Sequence, residues 1–225
     1  MQIRWLGHAA FALEHDGKTV LVDPFLTGNP KAAATADEVA ADAIFLTHGH
    51  SDHLGDTVDI AKRTGAAVVA IVELAGELTE AGVENVSDPN IGGTVDLGWV
   101  SVRLTPAWHT STTPGGTVNT PAGLVIEMGD KRIYFAGDTA LFSDLALPSK
   151  RGHIDLAVLP IGGHYTMDRF DAVAAADLVK ADQVIPCHYG TFPPIETDAE
   201  AFKTDVQNAG YAQVIVLEPG GTHEL

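Results

Sequence analysis

From Leu46 to Asp56 the chain reads Leu-Thr-His-Gly-His-Ser-Asp-His-Leu-Gly-Asp, which puts four potential metal ligands, His48, His50, Asp52 and His53, within six positions. Neutral imidazole suits zinc and other borderline metals, and a carboxylate can share a second ion. His48 and His50 are two residues apart, so in an extended tip they point the same way and can grip one ion. Asp52 and His53 lie beyond a turn, where they can reach a second ion beside the first. Three of the ten histidines fall in this one stretch, a concentration that a merely polar loop does not explain.

The flanking residues say how the cluster is positioned. Ala43 to Leu46 is an apolar run short enough for a buried strand, and Thr57 to Arg63 has a helix-like pattern. The histidines therefore sit where a strand ends and a helix begins. That edge is where layered α/β proteins bind ligands, because strand ends hold side chains rigidly while the loop stays open.

His48-x-His50-x-Asp52-His53 resembles the signature of the metallo-β-lactamase superfamily of binuclear metal hydrolases. The resemblance implies three further ligands downstream, a His, an Asp and a His, each at a strand end. The chain offers His109 after Val102 to Trp108, Asp138 after Arg132 to Gly137, and His188 after Gln183 to Cys187. It also implies an α/β (α+β) fold of four layers, an αββα sandwich with two mixed sheets face to face and helices outside. One such domain would span residues 1–225. Two divalent metal ions are implied, zinc foremost, with manganese or iron(II) also suited. His48, His50 and His109 would hold one ion, Asp52, His53 and His188 the other, and Asp138 would bridge them. A hydroxide shared by both ions would attack an ester, lactone or phosphoester, with Asp52 also taking its proton. Asp23, before Pro24, would support the metal loop from behind.

Two further stretches, Trp5-Leu-Gly-His8-Ala-Ala-Phe11 and Cys187-His188-Tyr189-Gly190-Thr191-Phe192, are similar to the branch that contains L-ascorbate-6-phosphate lactonase. In that branch a His in the place of His8 faces the active site, and a residue near His164 reaches substrate. His8 and His164 are thus expected to affect substrate more than metal. Tyr189 either donates to an oxyanion or packs. A redox di-iron member would carry Glu where His50 stands. The competing reading is a metal-dependent phosphodiesterase or nuclease of the same superfamily. His15, His153 and His223 lack such settings and read as surface residues.

The rest of the chain fits one α/β domain: 225 residues, 45% hydrophobic, with helix and strand patterns alternating and no linker. A formal charge of −17 repels nucleic acid backbones and anionic membranes, leaving a small molecule as the expected partner. The resemblance adds a homo-oligomer. A lone cysteine, Cys187, excludes an internal disulfide and reads as a small buried residue. There is no basic-then-apolar leader and no apolar stretch of about 20 residues, which points to the cytoplasm.

Strands are expected over Ile3 to Leu6, Phe11 to Glu14 and Thr19 to Val22, with Asp16-Gly17 as a hairpin turn. More follow over Ala66 to Val72, over one strand ending at Leu104, and over Gly123 to Met128 with Lys131 to Phe135. Asp155 to Ile161 and a final strand over Gln213 to Leu217 complete the set. Helices are expected over Glu73 to Ala81 and Met167 to Lys180. A last helix opens on the capping box Thr197-Asp-Ala-Glu200 and is closed by Gly210. The polar, Gly/Pro-rich run Thr110 to Pro121 follows a ligand and is expected to line the substrate pocket.

Overall fold

A computed structural model describes residues 1–225. The chain forms two seven-stranded mixed sheets. The first contains β1 (Gln2–Gly7), β2 (Ala10–His15), β3 (Lys18–Val22), β4 (Ala43–Phe45), β5 (Ala67–Val69) and β6 (Val86–Ser87), with β14 (Thr222–Glu224) added beside β1. The second contains β7 (Thr94–Asp96), β8 (Val100–Pro106), β9 (Ala122–Met128), β10 (Lys131–Phe135), β11 (Ile154–Pro160), β12 (Ala181–Cys187) and β13 (Gln213–Val214). Each sheet starts antiparallel and continues as parallel strands, so the two halves repeat one plan.

Alternation along the strands builds the layers. Ile133 and Phe135 of β10, with Leu156 and Val158 of β11, share one core with Ile3, Leu13 and Ile44 of the first sheet. Phe11 and Phe135 meet across the sheets, with ring centroids 5.5 Å apart. Tyr134, Ala157 and Leu159 point the other way, into a second core with Ala172, Ala175 and Phe202. Those residues belong to α5 (Arg169–Val179) and α6 (Ala199–Ala209), which cover that face of the second sheet. Helices α1 (Ser51–Leu54), α2 (Thr57–Thr64) and α3 (Val72–Glu80) accompany the first sheet, burying Ile60, Leu74 and Leu78. A short α4 (Leu147–Lys150) leads into β11. The α/β sandwich expected from the sequence is present.

Four local readings change. The single strand expected up to Leu104 is a hairpin, β7 and β8, folded at Leu97-Gly98, where Gly98 has φ 86°. The apolar run Ala66 to Val72 leaves the strand after Val69 and starts α3 at Val72. Ala70 and Ile71 are buried in the turn, so hydrophobicity carries no mark of the break. Only Gln213 and Val214 of the expected final strand are in the ladder, and β14 follows it. The strand β14 pairs Glu224 with Gln2, a contact between the chain ends that no local pattern announces. Finally, Asp198 rather than Thr197 caps α6, accepting a hydrogen bond from the Ala201 amide at 2.9 Å.

Candidate metal centre

His8 follows β1, Asp23 follows β3, and His48 and His50 follow β4; His109, Asp138 and His188 follow β8, β10 and β12. Within each sheet these strands run the same way, so their ends share one edge. The two edges are tied together there: the His188 amide donates to the His8 carbonyl at 3.1 Å, and the Ala122 amide donates to the Thr47 carbonyl at 2.9 Å. The chain leaves these strands abruptly. His8, Asp23 and His188 have φ of 58°, 45° and 55°, a left-handed conformation uncommon outside glycine. Such strain persists where surrounding structure imposes it, and it clusters at functional sites. Before Asp138, Gly137 has φ 65°, and a Cβ there would lie 2.7 Å from the Ala122 carbonyl oxygen, so only glycine fits.

The seven side chains expected as ligands converge. His48, His50 and His109 form one set whose donor atoms lie within 4.8 Å of one another, and His48 Nε2 is 3.0 Å from His50 Nδ1. Donors around a tetrahedral zinc are separated by about 3.3 Å, given Zn–N of about 2.0 Å. His8, Asp52, His53 and His188 form a neighbouring set of the same compactness. Asp138 lies between them. Its Oδ1 is 3.3 Å from His53 Nε2, and its Oδ2 is 3.1 Å from His188 Nε2, 3.5 Å from His109 Nε2 and 4.0 Å from His48 Nε2.

Hydrogen bonds behind the ligands set their tautomers. Asp23 accepts from the Thr47 amide at 2.8 Å, the Thr47 hydroxyl at 2.5 Å and His53 Nδ1 at 2.8 Å. Since the Thr47 hydroxyl proton goes to Asp23, His48 Nδ1 donates to Thr47 Oγ1 at 3.0 Å. Both rings therefore turn Nε2 into the site. His53 Nε2 and both His188 nitrogens are buried without a hydrogen-bond partner. Buried polar atoms are rarely left so, and here His53 Nε2 and His188 Nε2 face the Asp138 carboxylate among other imidazoles. A cation is the group that satisfies such an arrangement, so the residues fit a metal centre. Asp23 has the supporting place expected of it.

Electrostatics separate the two sets. Burial lowers the pKa of His48, His50 and His109, so these rings stay neutral. Burial acts to lower the His53 pKa too, but Asp138 and Asp23 overcome it and raise it well above the ordinary imidazole value. Burial acts to raise the pKa of Asp138, yet the His188 and His53 rings hold it well below the usual carboxylate range.

The sequence matches the family described as the Beta-lactamase superfamily domain over residues 2–188. The chain belongs to that superfamily. It is 48% identical to a UPF0173 metal-dependent hydrolase of Methanopyrus kandleri, with all of both chains covered. A UPF0173 metal-dependent hydrolase of Thermus thermophilus is 47% identical, over 98% of this chain and 97% of the relative. Igni18, a metallo hydrolase from Ignicoccus hospitalis, superposes with a TM-score of 0.90 at 38% identity, covering 100% of this chain and 98% of its own. The fold alone is shared with an isothiocyanate hydrolase from Delia radicum gut bacteria, with a TM-score of 0.78 at 19% identity over 100% and 99% of the two chains. The protein is thus a metal-dependent hydrolase of the metallo-β-lactamase fold, with a His/Asp cluster as its candidate metal site.

In this superfamily member the centre opens into a cleft of about 830 Å³. His50, Asp52, His109, Asp138 and His188 face it, and His48 and His53 are buried behind. Thr110, Thr112, Thr113 and Pro114 line it, so the polar run after His109 has the lining place expected. Ser111 and Asn119 of that run accept from the Gly49 amide at 2.9 and 3.1 Å, fastening the lining loop to the metal loop.

Two expected substrate contacts, His8 and His164, are placed differently, and Tyr189 takes one of its two expected places. His8 is fully buried and stands behind Asp52, to which its Nε2 donates at 3.1 Å. Burial lowers its pKa to about 4, so the ring is neutral and Nδ1 accepts from the Thr191 hydroxyl at 2.9 Å. Asp52 in turn is held ionised: burial acts to raise its pKa, but the His8 hydrogen bond and nearby rings lower it. His8 is therefore hydrogen-bonded to the expected ligand Asp52 and does not line the cleft. His164 is exposed and packs edge-on to Tyr165, ring centroids 4.4 Å apart; Tyr165, not His164, lines the cleft. Tyr189 stacks on Trp5 at 5.4 Å and lines no part of the cleft, so the packing alternative is the one observed. Cys187 is buried, and burial pushes its thiol pKa up, as befits an inert packing residue. Thr47, Thr191, Phe25 and Phe192 were not legible as site residues. Thr47 adjoins the histidine motif, but hydroxyls and phenyl rings carry no spacing signal.

Proposed function

We propose that the protein is a binuclear hydrolase that cleaves an ester, lactone or phosphoester bond in a small molecule. The position of Asp138 carries this reading: one buried carboxylate contacts nitrogens of both ligand sets, 3.5 Å from His109 and 3.3 Å from His53. A carboxylate so placed would hold two cations close together and offset their repulsion. When bound, two divalent ions would supply a water of lowered pKa and polarise the oxygen under attack. The chain's own residues do the rest. His48, His50 and His109 present neutral donors on one side; Asp52, His53 and His188 present donors on the other. Asp52, ionised and open to the cleft, can take up the proton released as the nucleophile attacks. His8 keeps that carboxylate aimed.

Zinc best suits a set rich in neutral imidazole, with manganese and iron(II) as alternatives. Elemental analysis of the purified protein is expected to give close to two metal ions per chain, and chelation is expected to abolish hydrolysis of a panel of aryl esters, lactones and bis-aryl phosphodiesters. A protein that binds no metal, and is not activated by zinc or manganese, overturns the reading. No helix is long and apolar enough to cross a membrane. A small-molecule substrate accords with the acidic net charge of −17; a cytoplasmic homo-oligomer is proposed from the family resemblance and the sequence pattern, and light scattering tests the assembly.

A further inference from the structure

The cleft contains no cationic side chain: none of the 13 lysines and arginines lines it. Arg169 is paired with Asp205, Lys18 with Asp42, and Arg4 reaches the Ala33 carbonyl. Sites for phosphate or carboxylate groups commonly use Arg or Lys, whose charge compensates the anion's desolvation. Here the lining carries Asp52 and Asp138, and Asp23 is buried behind His53. Together these carboxylates offset most of the charge that two divalent cations would bring. Little attraction remains for an anionic substituent beyond the reacting bond.

The uncharged lining is divided. Phe25 and Phe192 pack edge-on to His8, at 5.9 and 5.4 Å, so an aromatic wall with Pro194 stands on the Asp52 side. Thr110 and Thr112 stand exposed on the His50 side, while the buried Thr113 hydroxyl is taken up by Glu77 at 2.6 Å and by the Thr117 amide at 3.0 Å. An aromatic wall takes an apolar group, and hydroxyls take neutral hydrogen-bonding groups.

Resting on the hydrolase reading above, we infer that the substrate is an uncharged ester or lactone, with an apolar substituent on the Phe25–Phe192 wall and no phosphate or carboxylate away from the scissile bond. The test compares benzyl acetate with its para-carboxylate derivative on the metal-loaded protein. It also compares their non-hydrolysable ketone counterparts, benzylacetone and its para-carboxylate, by calorimetric binding. The neutral member of each pair is expected to be favoured at least about tenfold, about 1.4 kcal/mol, since a charge taken from water into a partly desolvated cleft without a cationic side-chain partner is not compensated. The exposed Thr110, changed to Lys, is expected to narrow both ratios, and Pro194→Lys repeats the test from the other wall. Equal or reversed preference, or no binding of either ketone, overturns the inference. If the ketones keep the neutral preference but neither ester is cleaved, the ester reading fails and the charge preference stands. If both esters are cleaved equally, the reverse holds.

Discussion

The two sets of candidate ligands are built on different principles. One half, His48, His50 and His109, consists of imidazoles that burial keeps neutral, and two of them are partly open to the cleft. The other half, Asp52, His53 and His188, is held by charge: Asp23 grips His53, and His8, backed by Thr191, grips Asp52. A neutral set binds by donor number and shape. A charged set binds by having its protons displaced, so it depends on pH and on the groups that orient it. The difference makes the Asp52 side the more easily disturbed.

The largest disturbance is expected from Asp138→Asn, which keeps the shape but removes the shared charge. Activity on any working ester should fall by several orders of magnitude, and metal counting should show the ion on the Asp52 side lost or much weakened while the three-histidine set stays loaded. Two ions and near-normal activity would mean that Asp138 merely fills a turn. Asp23→Asn comes next. It removes the anchor of His53 and of Thr47, and affinity for the second ion should drop about 100-fold, with some loss in melting temperature from the stranded partners. An unchanged second affinity would break the proposed division.

His8→Ala should weaken the same ion by about tenfold, with little effect on the first. This departs from the expectation that His8 acts on substrate; a pure KM effect with both ions intact would restore that view. The proton balance sharpens the comparison further. In the metal-free protein His53 is held protonated by Asp138 and Asp23 at neutral pH. Loading the second ion should therefore release about one proton, measured by calorimetry in buffers of different ionisation heat, while loading the first should release almost none. The sign for stability follows. The folded His53 value lies above its ordinary 6.5, so its contribution to the metal-free protein is complete below pH 6.5 and fades as pH rises through the folded value. The smallest effect belongs to Tyr189→Phe. Its hydroxyl lies outside the cleft, so kcat and metal content should be unchanged; a marked loss of kcat would reinstate it as an oxyanion donor.

Of the seven converging residues, His48, His50, Asp52 and His53 were legible from residue type and spacing just after an apolar run short enough for a buried strand, and His109, Asp138 and His188 through the family resemblance, each after a strand-like run. The two facing mixed sheets were expected through the resemblance, and the single strands through alternating or continuous hydrophobicity, which leaves its mark locally. Asp23 was legible through the resemblance. What the sequence did not determine is which groups stand in front of the ligands and which behind. His8, His164 and Tyr189 all lie beside strand ends, yet one is buried behind Asp52, one is exposed beside the cleft, and one is stacked on Trp5. That sorting depends on the left-handed exits after β1 and β12 and on how the two sheets meet, which bring together residues nearly the whole chain apart. The pairing of β14 with β1 was decided in the same way. Spacing along a chain constrains what a neighbourhood can do. Only the packing of distant strand ends decides which side of it a side chain occupies.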